Sequence, residues 1–162
     1  MGITICNLSI KLNKKEIVSL VGPIPSSVSN VTNIASLYPQ INKLNGSIPQ
    51  EIGRLRNLVA LDLSYNRLVG PISSSVSYLT NLASLLQTNN LSGPIPQEIG
   101  RLTNLVALDL SFNRLSGHIP YSLGQLTKSV SLYHNKDLCG SIQGFLPCAS
   151  SPTVNRERKS KG

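Results

Sequence analysis

The chain has 162 residues, of which 40% are hydrophobic but only 4% aromatic, with no Trp. That content excludes a disordered chain, and a core drawn mainly from Leu, Ile and Val favours many thin repeated layers over one irregular globule. The formal charge of +8 gathers at the ends, where Arg156, Arg158, Lys159 and Lys161 face only Glu157, and Lys11, Lys14 and Lys15 face only Glu16; without aromatic residues interleaved among these bases, the charge argues against a nucleic-acid partner.

Met1 to Ser9 lacks the charged start, apolar block and small-residue cleavage site of a secretory signal, and no apolar run approaches the ~18 residues of a membrane span. Residues 1–24 read as a truncated cap and a degenerate first repeat, Ile10 to Ile24, without the asparagine that marks the later ones. Glycines then recur at Gly22, Gly46, Gly70, Gly93, Gly117 and Gly140, at intervals of 24, 24, 23, 24 and 23 residues. A fixed period of that size indicates a solenoid. The repeats proper run over residues 25–126, a C-terminal cap over 127–149, and a disordered basic tail over 150–162.

Within the repeats, Leu58-Val-Ala-Leu61-Asp-Leu63-Ser-Tyr-Asn66-Arg-Leu68-Val-Gly70-Pro-Ile72 returns from Leu105 to Ile119. Leu61 and Leu63 alternate with Asp62, the period of a short strand with one buried face, which turns Ala60, Asp62 and Ser64 outward. Asn42, Asn66, Asn89 and Asn113 fall where the chain leaves each strand, and there a buried amide can satisfy backbone groups of adjacent turns. They read as a structural ladder. A longer duplication is superimposed: Ser26 to Leu37 recurs as Ser74 to Leu85, and Ile48 to Ser64 recurs from Ile95 with Thr103 in place of Arg56. The segment Leu85-Leu86-Gln-Thr-Asn89 is one residue shorter than Leu61 to Asn66, which reads as loss of the outward residue between the two core leucines. Pro39 takes a core-leucine position and has no N–H to donate, so weak strand pairing is expected at residues 36–40 and 83–88.

The Ile-Pro steps at Ile48, Ile95 and Ile119, with Glu51-Ile-Gly-Arg-Leu55 and Glu98-Ile-Gly-Arg-Leu102, resemble the plant-type leucine-rich repeat of receptor-like kinases, receptor-like proteins and polygalacturonase inhibitors, over roughly residues 20–126. The resemblance implies an α/β, right-handed solenoid of about five plant-type repeats, with short parallel strands on the concave face. Gly2 to Asn7 resembles the end of the family's N-terminal cap without the earlier Trp and Cys, leaving Cys6 without its usual partner. Asn135-Lys-Asp-Leu138-Cys139-Gly140 and Pro147-Cys148 resemble the segment that closes the family's ectodomains, implying a Cys139–Cys148 disulfide and an oxidising compartment. Two free thiols are the alternative, and a zinc site of His134, Cys139 and Cys148 has three ligands at best, so no metal is expected. Asn7, Asn30, Asn45 and Asn90 begin glycosylation sequons.

No nucleophile elbow, phosphate loop or zinc-protease motif occurs, so neither enzymatic activity nor a cofactor is expected. Stacked strands instead offer columns of outward residues. The central column holds Tyr38, Asp62, a gap and Asp109; the next holds Gln40, Ser64, Gln87 and Ser111. Beyond them stand Ile41, Tyr65, Thr88 and Phe112, then Lys43, Arg67, Asn90 and Arg114. Aromatic area beside guanidinium is the mixture found at protein interfaces. Pairing of Asp62 with Arg67 and of Asp109 with Arg114 on a solvated face is the competing reading. The Arg-x-Arg by which hormone receptors of this family hold a ligand carboxylate has one counterpart, Arg54-Leu-Arg56, but that triplet falls on the convex side.

The resemblance implies an extracellular or cell-surface module, a plasma-membrane receptor ectodomain, that recognises a peptide, protein or co-receptor. A soluble polygalacturonase inhibitor and an ice-binding protein are the alternatives.

Overall fold

The computed structural model describes residues 3–5, 8–10, 20–31, 33–80, 82–102, 104–105, 107–124, 129–141 and 145–149. Cys6, Asn7 and the basic tail lie outside them. Strands β1 (Ile3–Ile5) and β2 (Leu8–Ile10) pair as an antiparallel hairpin. The rest of the chain alternates between two sheet positions. One is taken by β4 (Ser36–Leu37), β6 (Ala60–Asp62), β8 (Ala83–Leu85), β10 (Ala107–Asp109) and β12 (Ser129–Ser131), which lie side by side, in chain order and parallel, as a five-stranded main sheet. The other holds β3 (Val21–Pro23) with β5 (Lys43–Asn45), and β7 (Val69–Gly70), β9 (Asn90–Gly93), β11 (Arg114–His118) and β13 (Asp137–Cys139), again parallel neighbours.

Opposite the main sheet, each coil returns through a tight 3₁₀ turn: Ser26–Asn30, Gln50–Arg54, Ser74–Tyr78 and Gln97–Arg101, with a short helix α1 (Tyr121–Gly124) in the last. The Ile-Pro steps explain these starts. Pro25, Pro49 and Pro96 sit at the N-caps with φ near −70°, the angle their rings impose, and have no N–H to leave unsatisfied. In the third turn Ser73 stands where proline would, and its hydroxyl accepts the Ser75 N–H at 3.2 Å.

One spine of aliphatic side chains runs through every coil. In the second, Leu58, Leu61, Leu63, Leu68, Ile72, Val76 and Leu79 are all 4% exposed or less. Packing between turns is tight on the 3₁₀ side as well. A Cβ added to buried Gly53 would run into the Ser75 carbonyl oxygen and come within 2.8 Å of the Ser75 Cβ. Gly53→Ala should therefore destabilise the chain by about 1–3 kcal/mol through overpacking. A urea midpoint unchanged from wild type would show that the turns separate freely.

The shortened repeat is accommodated differently from the sequence reading. Ala83 pairs with Ala60, Ser84 with both Leu61 and Leu108, and Leu85 with both Asp62 and Asp109. Leu82, like Leu58 and Leu105, closes its turn by donating its N–H to the leucine three residues back. The omitted residue is thus the counterpart of Val59, which is 51% exposed, and not the one between the core leucines. Dropping a solvated residue before the strand keeps the pleat in phase, whereas a deletion inside it would turn every following side chain to the other face. Leu86 then occupies the Leu63 and Leu110 position, 2% exposed, and the gap expected beside Asp62 and Asp109 is filled in register by Leu85. The expectation of weak pairing at 83–88 fails for the same reason, because β8 is bonded on both sides. At 36–40 the main-sheet strand does stop after two residues, ahead of Pro39.

Candidate recognition surface

Among the described residues five asparagines, one more than the sequence spacing marks, form the ladder. The Oδ1 atoms of Asn42, Asn66, Asn89, Asn113 and Asn135 accept the N–H of Leu20, Leu44, Leu68, Leu91 and Leu115 at 2.8–3.0 Å. The amide of Asn113 donates to Leu86 O of the preceding coil at 3.0 Å and to Leu110 O of its own at 3.1 Å. Asn89 and Asn135 repeat this arrangement with Leu63 and Leu86, and with Leu110 and Leu132. Pro39, which cannot donate, still contributes its carbonyl to both Asn42 and Asn66. Asn135 falls outside the ladder spacing in the sequence because its next leucine, Leu138, stands three residues on, where the other ladder positions have two.

For each asparagine to point inward the chain must turn sharply one residue earlier. Ile41, Tyr65, Thr88, Phe112 and His134 accordingly all take left-handed backbone angles, with φ between 54° and 58°. That conformation is strained for any residue with a side chain, most of all for β-branched Ile41 and Thr88, and five repetitions show that ladder geometry overrides local preference. It also throws Ile41, Tyr65, Phe112 and His134 outward, the first three 77%, 51% and 53% exposed, while Thr88 stays half-buried. The N–H groups of Ile41, Tyr65, Thr88 and Phe112 bond the next coil at 2.9–3.0 Å, which locks the column at the rung spacing. Phe112 stacks on His134 with ring centroids 4.1 Å apart.

One residue past each asparagine stands a second exposed column, Lys43, Arg67, Asn90, Arg114 and Lys136. Its backbone is anchored as well: Lys43, Arg67 and Asn90 donate to Leu20, Leu44 and Leu68 carbonyls at 2.8–2.9 Å. The sequence columns omitted His134 and Lys136 for the same reason that hid Asn135.

In the column of Gln40, Ser64, Gln87 and Ser111 the serines are withdrawn from solvent. Ser64 and Ser111 are each 3% exposed, and Gln40 and Gln87 are half-buried. Asp62 Oδ1 accepts both the N–H of Ser64, at 3.0 Å, and its hydroxyl, at 2.6 Å; Asp109 and Ser111 repeat the pair. A hydroxyl that folds back onto a carboxylate two residues earlier is thereby drawn into the turn, which the simple alternation of in and out does not foresee. The carboxylates are thus engaged by serine, where the sequence reading offered Arg67 and Arg114. Tyr38 stands in the central column, 60% exposed.

Cys139 and Cys148 form a disulfide, with Cα atoms 4.8 Å apart, closing the last coil. The histidine beside it is His118, paired with Cys139 across the sheet; His134, named in the zinc alternative, stacks on Phe112 instead. Asn30, Asn45 and Asn90 are exposed. Arg54 and Arg56 line a cleft with Tyr78 on the 3₁₀ side, away from both columns. Among the described residues no helix is long and apolar enough to cross a membrane.

Coils of parallel strand, inward asparagine and 3₁₀ turn around a leucine spine define a leucine-rich-repeat solenoid, and the Leucine Rich Repeat family model matches residues 57–79 and 104–126. A chain of the BIR3–SERK2 complex from Arabidopsis thaliana is 36% identical with a TM-score of 0.68, covering 85% of this chain and 78% of that one. The protein belongs to the family of leucine-rich-repeat ectodomains of plant receptor kinases. The plant peptide hormone receptor RGFR1, solved with RGF2, is 39% identical with a TM-score of 0.70 over 79% of this chain, which spans 20% of that receptor's length. A plant ice-binding protein shares 34% identity at a TM-score of 0.68, with 75% of this chain and 39% of that one covered. An adenylate cyclase of Schizosaccharomyces pombe is 44% identical over 48 residues, which are 30% of this chain and 3% of that enzyme.

Proposed function

We propose that the chain is an extracellular recognition module that binds a peptide or protein partner through the exposed columns beside its asparagine ladder. The observation that carries this reading is the rigid outward presentation of Tyr65 and Phe112, about half exposed on left-handed residues that inter-coil hydrogen bonds hold in place. Pre-ordered aromatic side chains next to guanidinium groups lose little freedom on binding and give up solvated apolar area, the usual source of interface hot spots. A receptor kinase solved with a peptide hormone and a co-receptor, and the relative solved as the BIR3–SERK2 complex, support the same reading.

The test is capture of a partner from plant extracellular fluid by the intact chain and by a variant with Tyr65, Arg67, Phe112 and Arg114 all replaced by alanine. Each exposed hot spot removed costs about 1–2 kcal/mol, so the variant should retain a few per cent of the captured partner or less. Equal capture by both would rule out this face. Inhibition of a polygalacturonase by the intact chain would replace the receptor reading with that of a soluble inhibitor.

A further inference from the structure

The two exposed columns have complementary character, and the turn between them fixes their separation. Ile41, Tyr65, Thr88, Phe112 and His134 form a mainly apolar ridge; Lys43, Arg67, Asn90, Arg114 and Lys136 form a stripe with four cations and no acid. Corresponding members stand two residues apart along the chain, so their Cα atoms lie within about 7 Å. Five coils at the spacing of paired strands carry both columns over about 19 Å along the solenoid axis. Asp62 and Asp109 hydrogen-bond serines rather than the cations of the stripe, and exposed Asp137 follows Lys136 at its last coil.

We infer that this double column is a binding track for an extended segment of a protein or peptide in which acidic and apolar residues alternate. The inference rests on the recognition reading and names its partner's chemistry. An extended chain advances about 3.3 Å per residue and sends successive side chains to opposite sides, so about six residues fill the track. Laid along the asparagine line, such a segment turns one set of side chains toward Lys43, Arg67, Arg114 and Lys136 and the other toward Tyr65 and Phe112. The side chains on either side recur about every 6.7 Å, so three acids fall within reach of the cations. Alternation is what the track selects, because neither column alone distinguishes such a segment from any acidic or any apolar one. A sugar polyanion lacks the apolar half, and the ridge would stay wet beneath it; a nucleic-acid strand, whose bases stack on aromatic rings, is the competitor that the experiment includes. Asn90 is exposed in the middle of the stripe and begins a sequon, so a glycan there would obstruct the track.

The experiment uses the full chain without N-glycans and a fluorescein-labelled octapeptide of three glutamate-leucine pairs between terminal glycines. A second peptide carries three glutamates followed by three leucines. The alternating peptide should bind at least about fivefold more tightly than the block peptide, with an affinity that falls as salt rises. R67E/R114E should weaken it by about tenfold or more, whereas R54E/R101E, on the 3₁₀ side, should leave it within about twofold. If R67E/R114E melts earlier than wild type, K43E/K136E takes its place with the same expectation. Equal binding of the two peptides, equal loss in the 3₁₀-side variant, or tighter binding of oligodeoxythymidylate or polygalacturonate than of the alternating peptide would overturn the proposal. If R67E/R114E retains an extracellular partner that Y65A/F112A loses, the acidic segment is overturned while the recognition reading stands.

Discussion

Asn113→Ala is expected to lower stability by about 2–4 kcal/mol, a large share of the margin of about 5–15 kcal/mol that holds a small domain folded. The substitution leaves the buried Leu91 N–H without its side-chain partner, which costs about 1–3 kcal/mol, and takes one of two amide donors from each of the Leu86 and Leu110 carbonyls, which keep Asn89 and Asn135. Asn42 offers the internal comparison. It is half-buried, and its amide donates only to Pro39 and Gln40 of its own coil. Asn42→Ala should therefore cost about 1–2 kcal/mol. Urea denaturation followed by circular dichroism measures both. Equal midpoints for the two variants would mean that the amides are not the link between coils.

Leu86→Ala should cost about 2–5 kcal/mol, the range for truncating a fully buried leucine, because the register places it where Leu63 and Leu110 stand in the flanking coils. The effect should match that of Leu110→Ala within about 1 kcal/mol. Loss of less than about 0.5 kcal/mol in the Leu86 variant, the size of an exposed substitution, would show that the shortened coil is shifted by one residue relative to its neighbours.

Much of this architecture is legible from spacing alone. Glycines every 23–24 residues, Leu61 and Leu63 around Asp62, and an asparagine four positions before each middle glycine define the coil, its buried side and its internal fastening. Other features depend on energies that a pattern does not carry. Which residue the short coil omits is decided by the low cost of losing a solvated one, and the string Leu85-Leu86 points to the wrong one. Ser64 and Ser111 follow the alternation in one dimension, but the adjacent carboxylates pull them inward. The fifth ladder asparagine is masked by a single extra residue before Leu138. With it went His134 and Lys136, the two residues that carry the exposed columns to the last coil. The display positions at Ile41, Tyr65, Thr88 and Phe112 were legible; their left-handed backbone follows only once the asparagine is known to face inward.

The place where β8 absorbs its missing residue bears on how such a chain can change over generations. Slack is taken up on the stretch just ahead of the strand, where Ala35 and Val59 meet water, and downstream alignment survives intact. Gains or losses of single residues at that point leave the neighbouring coils undisturbed, and whole blocks can be copied, as the recurrence of Ile48 to Ser64 from Ile95 records. Length and surface chemistry can therefore vary separately, one by adding coils and the other by altering what they display.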